Sequence, residues 1–513
     1  MFDVVVVGGG PAGASTAALL ASWGHAVTLR SRSDPPAGWL AESVPASAMR
    51  LFGMVGADDS LARSVLFPNG GNTVWWAGRP ERSESFDDPG FHAERSALEN
   101  ALIPQAEAHG AAVGRTAPIR AASRDERGWT LEWADGETRG SWLVDASGRA
   151  GVLARRTRIE DRPTGTLALV GRWRRAGGWD EADRTHTLIE SYADGWAWSV
   201  PISDEVRCVT AMVDPRETEL DRGDLDAMLR RELAKAPNLG ARLEGAVTQD
   251  DAKACPASLY TNEAFAGDGY LLVGDAGSFI DPLSSYGVKK ALASGWLAAV
   301  TLNTILTDES MKSTALEFFD AREKEVYRRY RELSIPFFEE ATGEYGTPFW
   351  ELRAEAARRA SGVDKGATFE GAPVDPADRV DPSGDADALT THRDVREAYE
   401  ELRNRPDISL SPGDSLERVD LPLISDNRIV LDTHLRSATA GDGARFVRNV
   451  DLLRLIDAAE GKDQVPDVYE AYNRGGPAAE LPDFLAALAV AVGKGFLELP
   501  DWRPTSWSRT IYG

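Results

Sequence analysis

The chain has few cysteines, no long apolar run and a deficit of positive charge, and each absence excludes a class of protein. Its 513 residues include only Cys208 and Cys255, so we expect no disulfide framework and no cysteine-based metal site. No run of about 18 apolar residues could span a membrane. Lysine and arginine total 57 against 81 acidic residues, and the net charge of −24 disfavours binding to nucleic acid or an anionic membrane.

The start of the chain predicts its compartment. An apolar strand pattern begins at Phe2, which leaves no signal peptide, and two cysteines are compatible with a reducing environment. We therefore expect a cytoplasmic protein. The length allows two or three domains with sizeable cores.

A glycine-rich turn follows the first strand pattern. The segment GGGPAG joins that strand to the helical pattern ASTAALLASWG, as a dinucleotide-binding fingerprint requires. Gly8 permits the tight turn, Gly10 lets the backbone approach a pyrophosphate, and Gly13 allows the helix to pack closely on the strand. Pro11 and Ala12 then open the helix whose N-terminus faces the phosphates.

The second strand pattern lacks the acidic residue that usually follows it. Residues 26–29 are apolar or small, and Ser31 stands where an aspartate or glutamate would bind the adenosine ribose. A hydroxyl or a water molecule would have to replace that contact.

A second loop, GDAGSFIDPLSSYG at residues 274–287, follows a buried-looking strand at 270–273. A carboxylate at Asp275 can bind the hydroxyls of a sugar-type chain. The helix that begins near Gly287 and Val288 presents free N–H groups and a partial positive charge. Together these features suit a flavin, with its polyol chain and a ring that becomes anionic on reduction.

With two further segments, these motifs resemble the flavoprotein monooxygenase and halogenase superfamily, which has the fold of p-hydroxybenzoate hydroxylase. The segments are the helix from Arg95, similar to R-x-x-[FL]-[DEN]-x-x-L, and DASGRAG from Asp145. The resemblance implies a mixed α/β fold with a doubly wound FAD-binding domain and an antiparallel-sheet substrate domain. The strand and helix patterns within residues 418–500 add a small C-terminal helical module that resembles a winged helix. The predicted cofactor residues are Gly8, Gly10, Pro11, Ala12, Gly13, Ser31, Ser43, Arg95, Asp145, Gly274, Asp275, Pro282, Gly287 and Val288.

The segment GWAWSVP at residues 195–201 resembles W-x-W-x-I-P, a mark of the halogenase branch. Alternating aromatic residues on one face of a strand also fit ordinary core packing. Both interpretations stay open at this point.

Two departures from the halogenase pattern favour hydroxylation. No lysine occurs between Ala41 and Gly78, where those enzymes carry the amine that relays oxidised halide, and Ser284 replaces the glutamate of D-P-L-E-S-x-G. We therefore expect an FAD-dependent monooxygenase acting on an electron-rich aromatic ring through a flavin C4a-hydroperoxide. The alternatives are an indole or phenol halogenase, a reductase of isoprenoid-type double bonds, and a flavin-bound adaptor without turnover.

The resemblance also implies partners and a pocket. Within the branch, the chain is most similar to hydroxylases that act on tryptophan in the maturation of tryptophylquinone enzymes, so the substrate would be a small aromatic compound or a residue on a peptide or protein. NAD(P)H or a separate flavin reductase would supply electrons, and O₂ the oxygen. Among the histidines, His92 is the best general-base candidate. The aromatic residues that we expect to line the substrate pocket are Trp75, Trp76, Trp196, Trp198 and Tyr286.

Patterning divides the chain into four parts. A hairpin with a Gly-Gly-Asn turn is predicted within residues 64–84, and a Pro/Gly/Asp-rich linker at residues 361–388. The predicted parts are an FAD-binding domain at 1–160 and 262–335, a substrate-binding sheet at 64–90 and 161–261, helices and linker at 336–417, and a C-terminal module at 418–513. We expect no metal site.

Overall fold

The computed structural model describes residues 1–32, 40–116, 119–134, 136–180, 183–218, 223–362, 390, 392–405 and 407–505. The chain divides into two compact units, Met1–Ala377 and Asp378–Gly513. The predicted linker lies outside the described residues except for its first two positions, which end a helix.

The first unit contains a mainly parallel sheet built from the apolar strand patterns. Its strand order is β18-β19-β9-β1-β2-β6, and β7 and β8 extend β9 as an antiparallel meander. The strands are β1 Phe2–Val7, β2 Val27–Arg32, β6 Ala112–Thr116, β7 Ala121–Asp125, β8 Gly128–Trp133, β9 Gly136–Asp145, β18 Ala266–Gly267 and β19 Tyr270–Leu272.

Helices cover this sheet, and the doubly wound prediction is confirmed. The first helix packs between two others, one from each half of the fold. These helices are α1 Pro11–Ser22, α4 Arg95–Ala108 and α7 Gly287–Thr307, with α2 Met49–Met54 and α3 Asp58–Ala62 between α1 and α4 in the chain.

A nine-stranded mixed sheet forms the second layer of the first unit. Its order is β15-β11-β14-β13-β12-β4-β5-β3, and β16 also pairs with β11. The strands are β3 Ala41–Val44, β4 Phe67–Trp75, β5 Arg82–Glu94, β11 Leu167–Arg174, β12 His186–Tyr192, β13 Gly195–Pro201, β14 Val206–Val213, β15 Val247–Thr248 and β16 Lys253–Pro256; a separate pair is β10 Arg158–Glu160 with β17 Tyr260–Asn262.

The predicted Gly-Gly-Asn turn was wrong. Gly70 and Gly71 lie inside β4, and the chain reverses between β4 and β5 near Ala77 and Gly78, which have φ angles of 51° and 66°. A Cβ on Gly71 would lie 2.1 Å from the carbonyl oxygen of Glu84. Glycine is needed here because backbones approach closely, which the sequence pattern does not distinguish from a turn.

Two pairs of helices cover opposite faces of this second sheet. One face packs on α5 Leu225–Leu233 and α6 Pro237–Arg242. The other packs on α8 Lys312–Tyr345 and α9 Pro348–Ser361, whose aromatic residues join the sheet core.

The second unit has a core of its own. Its helices are α10 Arg393–Asn404, α11 Leu452–Ala459, α12 Val465–Arg474 and α13 Leu481–Gly493. Its strands are β20 Ser411–Pro412, β21 Glu417–Ser425, β22 Arg428–Ser437, β23 Ala440–Ala444, β24 Phe446–Val447, β25 Val450–Asp451 and β26 Leu497–Glu498, of which β21, β22 and β23 form an antiparallel sheet. Across the described part of the chain, no helix combines the length and apolar character that a membrane span needs.

Candidate functional site

A cavity in the first unit connects the fingerprint loop to the second sheet. Its walls come from the start of α1, from β3 and α4, from the loops after β9 and β19, and from the middle of the second sheet. Two motifs that lie more than 250 residues apart in the chain therefore share one space.

The three fingerprint glycines have different geometric roles. Gly8 has a φ angle of +114°, and a Cβ there would lie 2.1 Å from the carbonyl oxygen of Ala146. A Cβ on Gly13 would lie 2.0 Å from the carbonyl oxygen of Gly8. Gly10 lines the cavity, and a Cβ there would meet no atom of the described residues within 4 Å. Only Gly10 therefore leaves room for a ligand rather than for the protein itself.

A buried polar network supports the second loop from behind. The Gly274 N–H donates to Ser294 Oγ at 2.9 Å, and the Gly274 carbonyl accepts from Lys290 Nζ at 3.1 Å. Lys290 also donates to the Ser278 carbonyl at 2.6 Å. Ser294 bonds to the Glu323 carboxylate, whose pKa burial raises to about 7. These contacts fix the backbone on both sides of Asp275, which lines the cavity.

Charged side chains cluster at the end of the cavity that the fingerprint loop and the second loop form, which is called the nucleotide end below. Arg95 Nη1 lies 3.6 Å from Glu42 Oε1. Burial raises the pKa of Glu42, although Arg95 opposes the rise. Burial lowers the pKa of Arg95, but Glu42 and Asp275 outweigh it, so the net change is upward. The guanidinium thus stays charged beside the space in which an anionic ring or phosphate would lie.

The opposite end of the cavity is a face of the second sheet. Side chains alternate along a strand, so Trp198 and Val200 share a face of β13. Thr210 lies opposite Trp198 on β14, and Val170 lies opposite Thr210 on β11. Thr187 precedes Leu188, which pairs with Ser199, so it lies beside Val200. The residues of this face that line the cavity are Val170, Thr187, Trp198, Val200 and Thr210.

The structure brings ten of the nineteen predicted site residues to the cavity. Those that line it are Gly10, Pro11, Ala12, Ser43, Arg95, Trp198, Asp275, Pro282, Gly287 and Val288. Those that do not are Gly8, Gly13, Ser31, Trp75, Trp76, Asp145, Trp196, Gly274 and Tyr286. Gly8, Gly13 and Gly274 shape the loops that line the cavity, as described above.

Asp145 organises its own loop instead of facing the cavity, which corrects its prediction as a direct cofactor ligand. Its carboxylate is fully buried and accepts bonds from the N–H groups of Ser147, Leu153 and Ala154 and from the Ser147 hydroxyl. The loop that it holds carries Arg149, which does line the cavity.

The Ser31 side chain also lies outside the cavity lining, behind the fingerprint loop. Its side chain packs under Gly9, where a Cβ would be 2.6 Å from Ser31 Oγ. The prediction that its hydroxyl replaces an acidic ribose ligand is not tested, because residues 33–39, which follow it, are outside the described part of the chain.

Three of the predicted pocket aromatics, all tryptophans, lie in packed cores. Trp75 faces α5 and α6 on the other side of the sheet. The Trp76 ring lies 5.4 Å from that of Trp350, and Trp76 Nε1 donates to the Phe337 carbonyl. Trp196 stacks on Trp198 at 4.7 Å, outside the cavity lining. Trp75 and Trp76 are consecutive, so the alternation of a strand places at most one of them on the cavity face.

Tyr286, predicted as a pocket aromatic, and His92, predicted as a general base, also lie away from the cavity. The Tyr286 ring packs at 5.8 Å against Tyr330 of α8. His92 is completely buried with Nε2 near the Thr185 carbonyl, and burial lowers its pKa to about 3. Neither lines the cavity, so we no longer propose His92 as a general base.

Sequence reasoning missed several cavity residues. They all lie on strands of the second sheet, one of them on its edge strand β3: Glu42, Thr187, Val200, Cys208, Thr210 and Cys255. Glu42 directly precedes Ser43, a predicted cofactor residue, so its position in the chain could have indicated it. The others depend on strand register, which a single sequence does not give.

The cavity fits FAD by its own geometry. Gly10 leaves open space at a helix N-terminus, Arg95 offers a charged group, and Asp275 carries a carboxylate beside the rigid second loop. Among the described residues, no group of three or more histidine, cysteine, aspartate or glutamate side chains could hold a metal ion.

Known proteins share this architecture. The tryptophan halogenase family matches residues 77–373, which is more than half of the chain. The chain belongs to the tryptophan halogenase family. It is therefore an FAD-dependent enzyme of the oxidoreductase type, with FAD and O₂ as cofactors.

Individual relatives have names that agree with the family. Tryptophan 2-halogenase from Chondromyces crocatus is 28% identical over 367 residues, covering 68% of this chain and 69% of its own. Among solved structures, the flavin-dependent halogenase CmlS has a TM-score of 0.72 at 20% identity, covering 96% of this chain and 95% of its own. The peptidyl tryptophan dihydroxylase QhpG has a TM-score of 0.67 at 23% identity, covering 96% and 99%. The two structures support the fold.

Proposed function

We propose that the chain is a flavin-dependent halogenase of an electron-rich aromatic ring. The observation that supports this is one cavity that joins a dinucleotide site to a mainly apolar sheet wall carrying Trp198, in a member of the tryptophan halogenase family. The named relatives favour this alternative over the hydroxylation that the sequence departures suggested. Reduced FAD with O₂ supplies the oxidising power, and a separate flavin reductase is the proposed electron donor.

The residues of this chain would orient and shield that chemistry. The N-terminus of α1 and Gly10 would face the pyrophosphate, Arg95 would face the flavin, and Asp275 would hold the ribityl chain. The N-terminus of α7 would stabilise negative charge on the reduced ring. Trp198 and its neighbours would exclude water from the substrate side.

Hydroxylation is the second candidate, and the positions of the lysines favour it. No lysine side chain lines the cavity among the residues that the structure describes. Lys289 Nζ bonds to Ser47 Oγ at 2.8 Å, and Lys290 Nζ bonds to two backbone carbonyls. The described part of the cavity wall therefore lacks an amine that could relay oxidised halide. QhpG, which resembles the chain over nearly its whole length, is a dihydroxylase of peptidyl tryptophan.

One experiment separates the two reactions. The enzyme, with reduced FAD, O₂ and bromide, is given indole, phenol and a tryptophan-containing peptide, and the products are analysed by mass spectrometry. A product with the bromine isotope pattern supports the halogenase. An oxygenated product that forms equally without bromide supports hydroxylation, and no product of either kind contradicts both proposals.

A further inference from the structure

The sheet wall of the cavity carries a buried hydroxyl without a partner. Thr187 is 2% exposed and lines the cavity, and its Oγ1 has no hydrogen-bond partner among the described residues. A buried hydroxyl is normally bonded, because an unpaired one costs about 1–3 kcal/mol. An unpaired hydroxyl that faces a cavity is therefore a candidate contact for a ligand.

A second hydroxyl lies diagonally across the same wall. Thr210, which is 4% exposed, is two strands away from Thr187, with Trp198 and Val200 of β13 between them. With strands about 4.8 Å apart, the two threonines lie on the order of 10 Å from each other. A planar ring that lies over β13 could thus have a hydroxyl near each edge.

None of the described residues that β11, β12, β13, β14 and β16 contribute to this wall is charged. The lining residues contributed by β11, β12, β13, β14 and β16 are Ala168, Val170, Thr187, Trp198, Val200, Cys208, Thr210, Met212 and Cys255. Burial raises the pKa of Cys208 to about 11, which keeps its thiol neutral. The charged residues that line the cavity come from β3, an edge strand of the same sheet, from α4 and from the two loops of the nucleotide end: Glu42, Arg95, Arg149, Asp275 and Asp281.

Charge balance restricts what can bind at this wall. A free amino acid brings an ammonium and a carboxylate, and burying either group without a partner is strongly unfavourable. A neutral ring with one hydrogen-bonding group leaves nothing unpaired, because a threonine hydroxyl can both donate and accept.

We infer that the Thr187–Trp198–Thr210 wall is a subsite for a neutral aromatic ring bearing one hydroxyl or ring N–H, and that it rejects free zwitterionic amino acids. This inference rests on the proposed function and specifies its substrate class. The neutral ring has two sources: a small phenol or indole, or a tyrosine or tryptophan side chain whose backbone is in peptide linkage.

The test measures binding to the oxidised, FAD-loaded enzyme by isothermal titration calorimetry, so it needs no turnover. Indole and N-acetyl-tryptophanamide represent the two sources, and free tryptophan is the charged comparison. We expect at least one neutral probe to bind about tenfold or more tightly than free tryptophan. Binding of free tryptophan as tight as the better neutral probe, or no binding of either neutral probe, would overturn the inference.

The role of the hydroxyl is tested with Thr187→Val and Thr210→Val. At least one variant should bind indole about tenfold more weakly while its affinity for 1-methylindole, which lacks the N–H, is unchanged. Thr301→Val is the matched control, because Thr301 is a buried threonine of α7 that bonds to the Leu297 carbonyl away from the cavity. Equal losses for indole and 1-methylindole, or no loss in either variant, would contradict the assignment.

Neither outcome depends on whether the reaction is halogenation or hydroxylation. A failure of the proposed function would appear as the absence of product in the turnover assay. A failure of the subsite would appear as the wrong order of affinities in an enzyme that still binds FAD.

Discussion

At the scale of single residues, two buried threonines on neighbouring strands differ in their hydrogen bonding. The Thr73 hydroxyl bonds to His186 Nδ1 at 3.0 Å and to Asp183 Oδ1 at 3.1 Å, whereas Thr187 Oγ1 has no partner among the described residues. Thr73→Val should lower the free energy of unfolding by about 1–3 kcal/mol, because it leaves buried partners unpaired. Thr187→Val should leave it unchanged or higher.

Urea unfolding of the two variants measures this difference at constant pH. A loss of stability at Thr187→Val as large as that at Thr73→Val would show that the Thr187 hydroxyl has a structural partner, and it would weaken the substrate-wall inference.

Gly10 and Gly13 form a second matched pair. Gly13→Ala would place a methyl carbon 2.0 Å from the Gly8 carbonyl oxygen, so we expect a loss of stability of about 2 kcal/mol or more. The methyl group of Gly10→Ala would meet no atom in the part of the chain that the structure describes, and Gly10 has a φ angle of −68° that alanine adopts readily. This variant should fold normally but lose FAD.

Thermal unfolding without FAD and flavin absorbance after loading distinguish the two effects. If Gly10→Ala retained FAD with unchanged affinity, the pyrophosphate could not lie where the open space at Gly10 places it. If both variants unfolded equally, the geometric distinction between the two glycines would be wrong.

Residue-level prediction succeeded where one backbone turn dictates the residue. The roles of Gly8 and Gly13 follow from the strand–turn–helix spacing, and the structure agrees. Asp145 was predicted as a cofactor-binding residue because DASGRAG resembles a segment of the flavoprotein family, but its carboxylate accepts four bonds within its own loop. A sequence does not show that the backbone N–H groups of the following loop bond to this carboxylate.

At the scale of elements, the packing of α7 against α8 buries an acid behind the second loop. Glu323 is 3% exposed, and burial raises its pKa to about 7 from an ordinary value of 4.5. The folded state therefore binds more protons than the unfolded state between these two values. The wild-type protein should lose stability as pH rises through this window and level off above it.

Glu323→Gln should remove this dependence while its amide oxygen still accepts the bond from Ser294. Relative to wild type, its free energy of unfolding should rise by roughly 2–3 kcal/mol between pH 5 and pH 8. Glu355→Gln, at an exposed position of α9, is the control for the loss of one carboxylate. Parallel pH profiles for wild type and Glu323→Gln would refute the proton uptake.

Strand register explains most of what the sequence did not predict at this scale. The strands of the second sheet were expected as antiparallel and alternating, but the pairing of β4 with β12 is parallel and joins segments more than 100 residues apart. That pairing decides that Trp75 faces α6 while Trp198 faces the cavity. Because every side chain changes face with a one-residue shift, the wall could be recognised only once the register was known.

At the scale of the whole molecule, the two units have separate cores. We predict that removal of residues 378–513 leaves a fragment that still binds FAD, because all the described residues that line the cavity belong to the first unit. The same deletion should abolish turnover of a peptide substrate if the second unit docks it. Flavin absorbance and product analysis on the same fragment measure the two properties.

Unchanged turnover of the peptide by the fragment would refute the docking role. A colourless fragment would instead show that the second unit helps to hold the cofactor. A truncation within α9, which also removes core aromatics of the first unit, is an unsuitable comparison because it should unfold the first unit as well.

The two sulfhydryl groups of the chain, Cys208 and Cys255, both border the cavity. Cys208 is buried, and its pKa of about 11 leaves almost no thiolate at neutral pH, whereas Cys255 is only partly buried. A maleimide fluorophore added to the native enzyme would therefore mark Cys255 alone. The wild-type protein could therefore carry one fluorophore, on Cys255, that reports on ligand binding in the cavity.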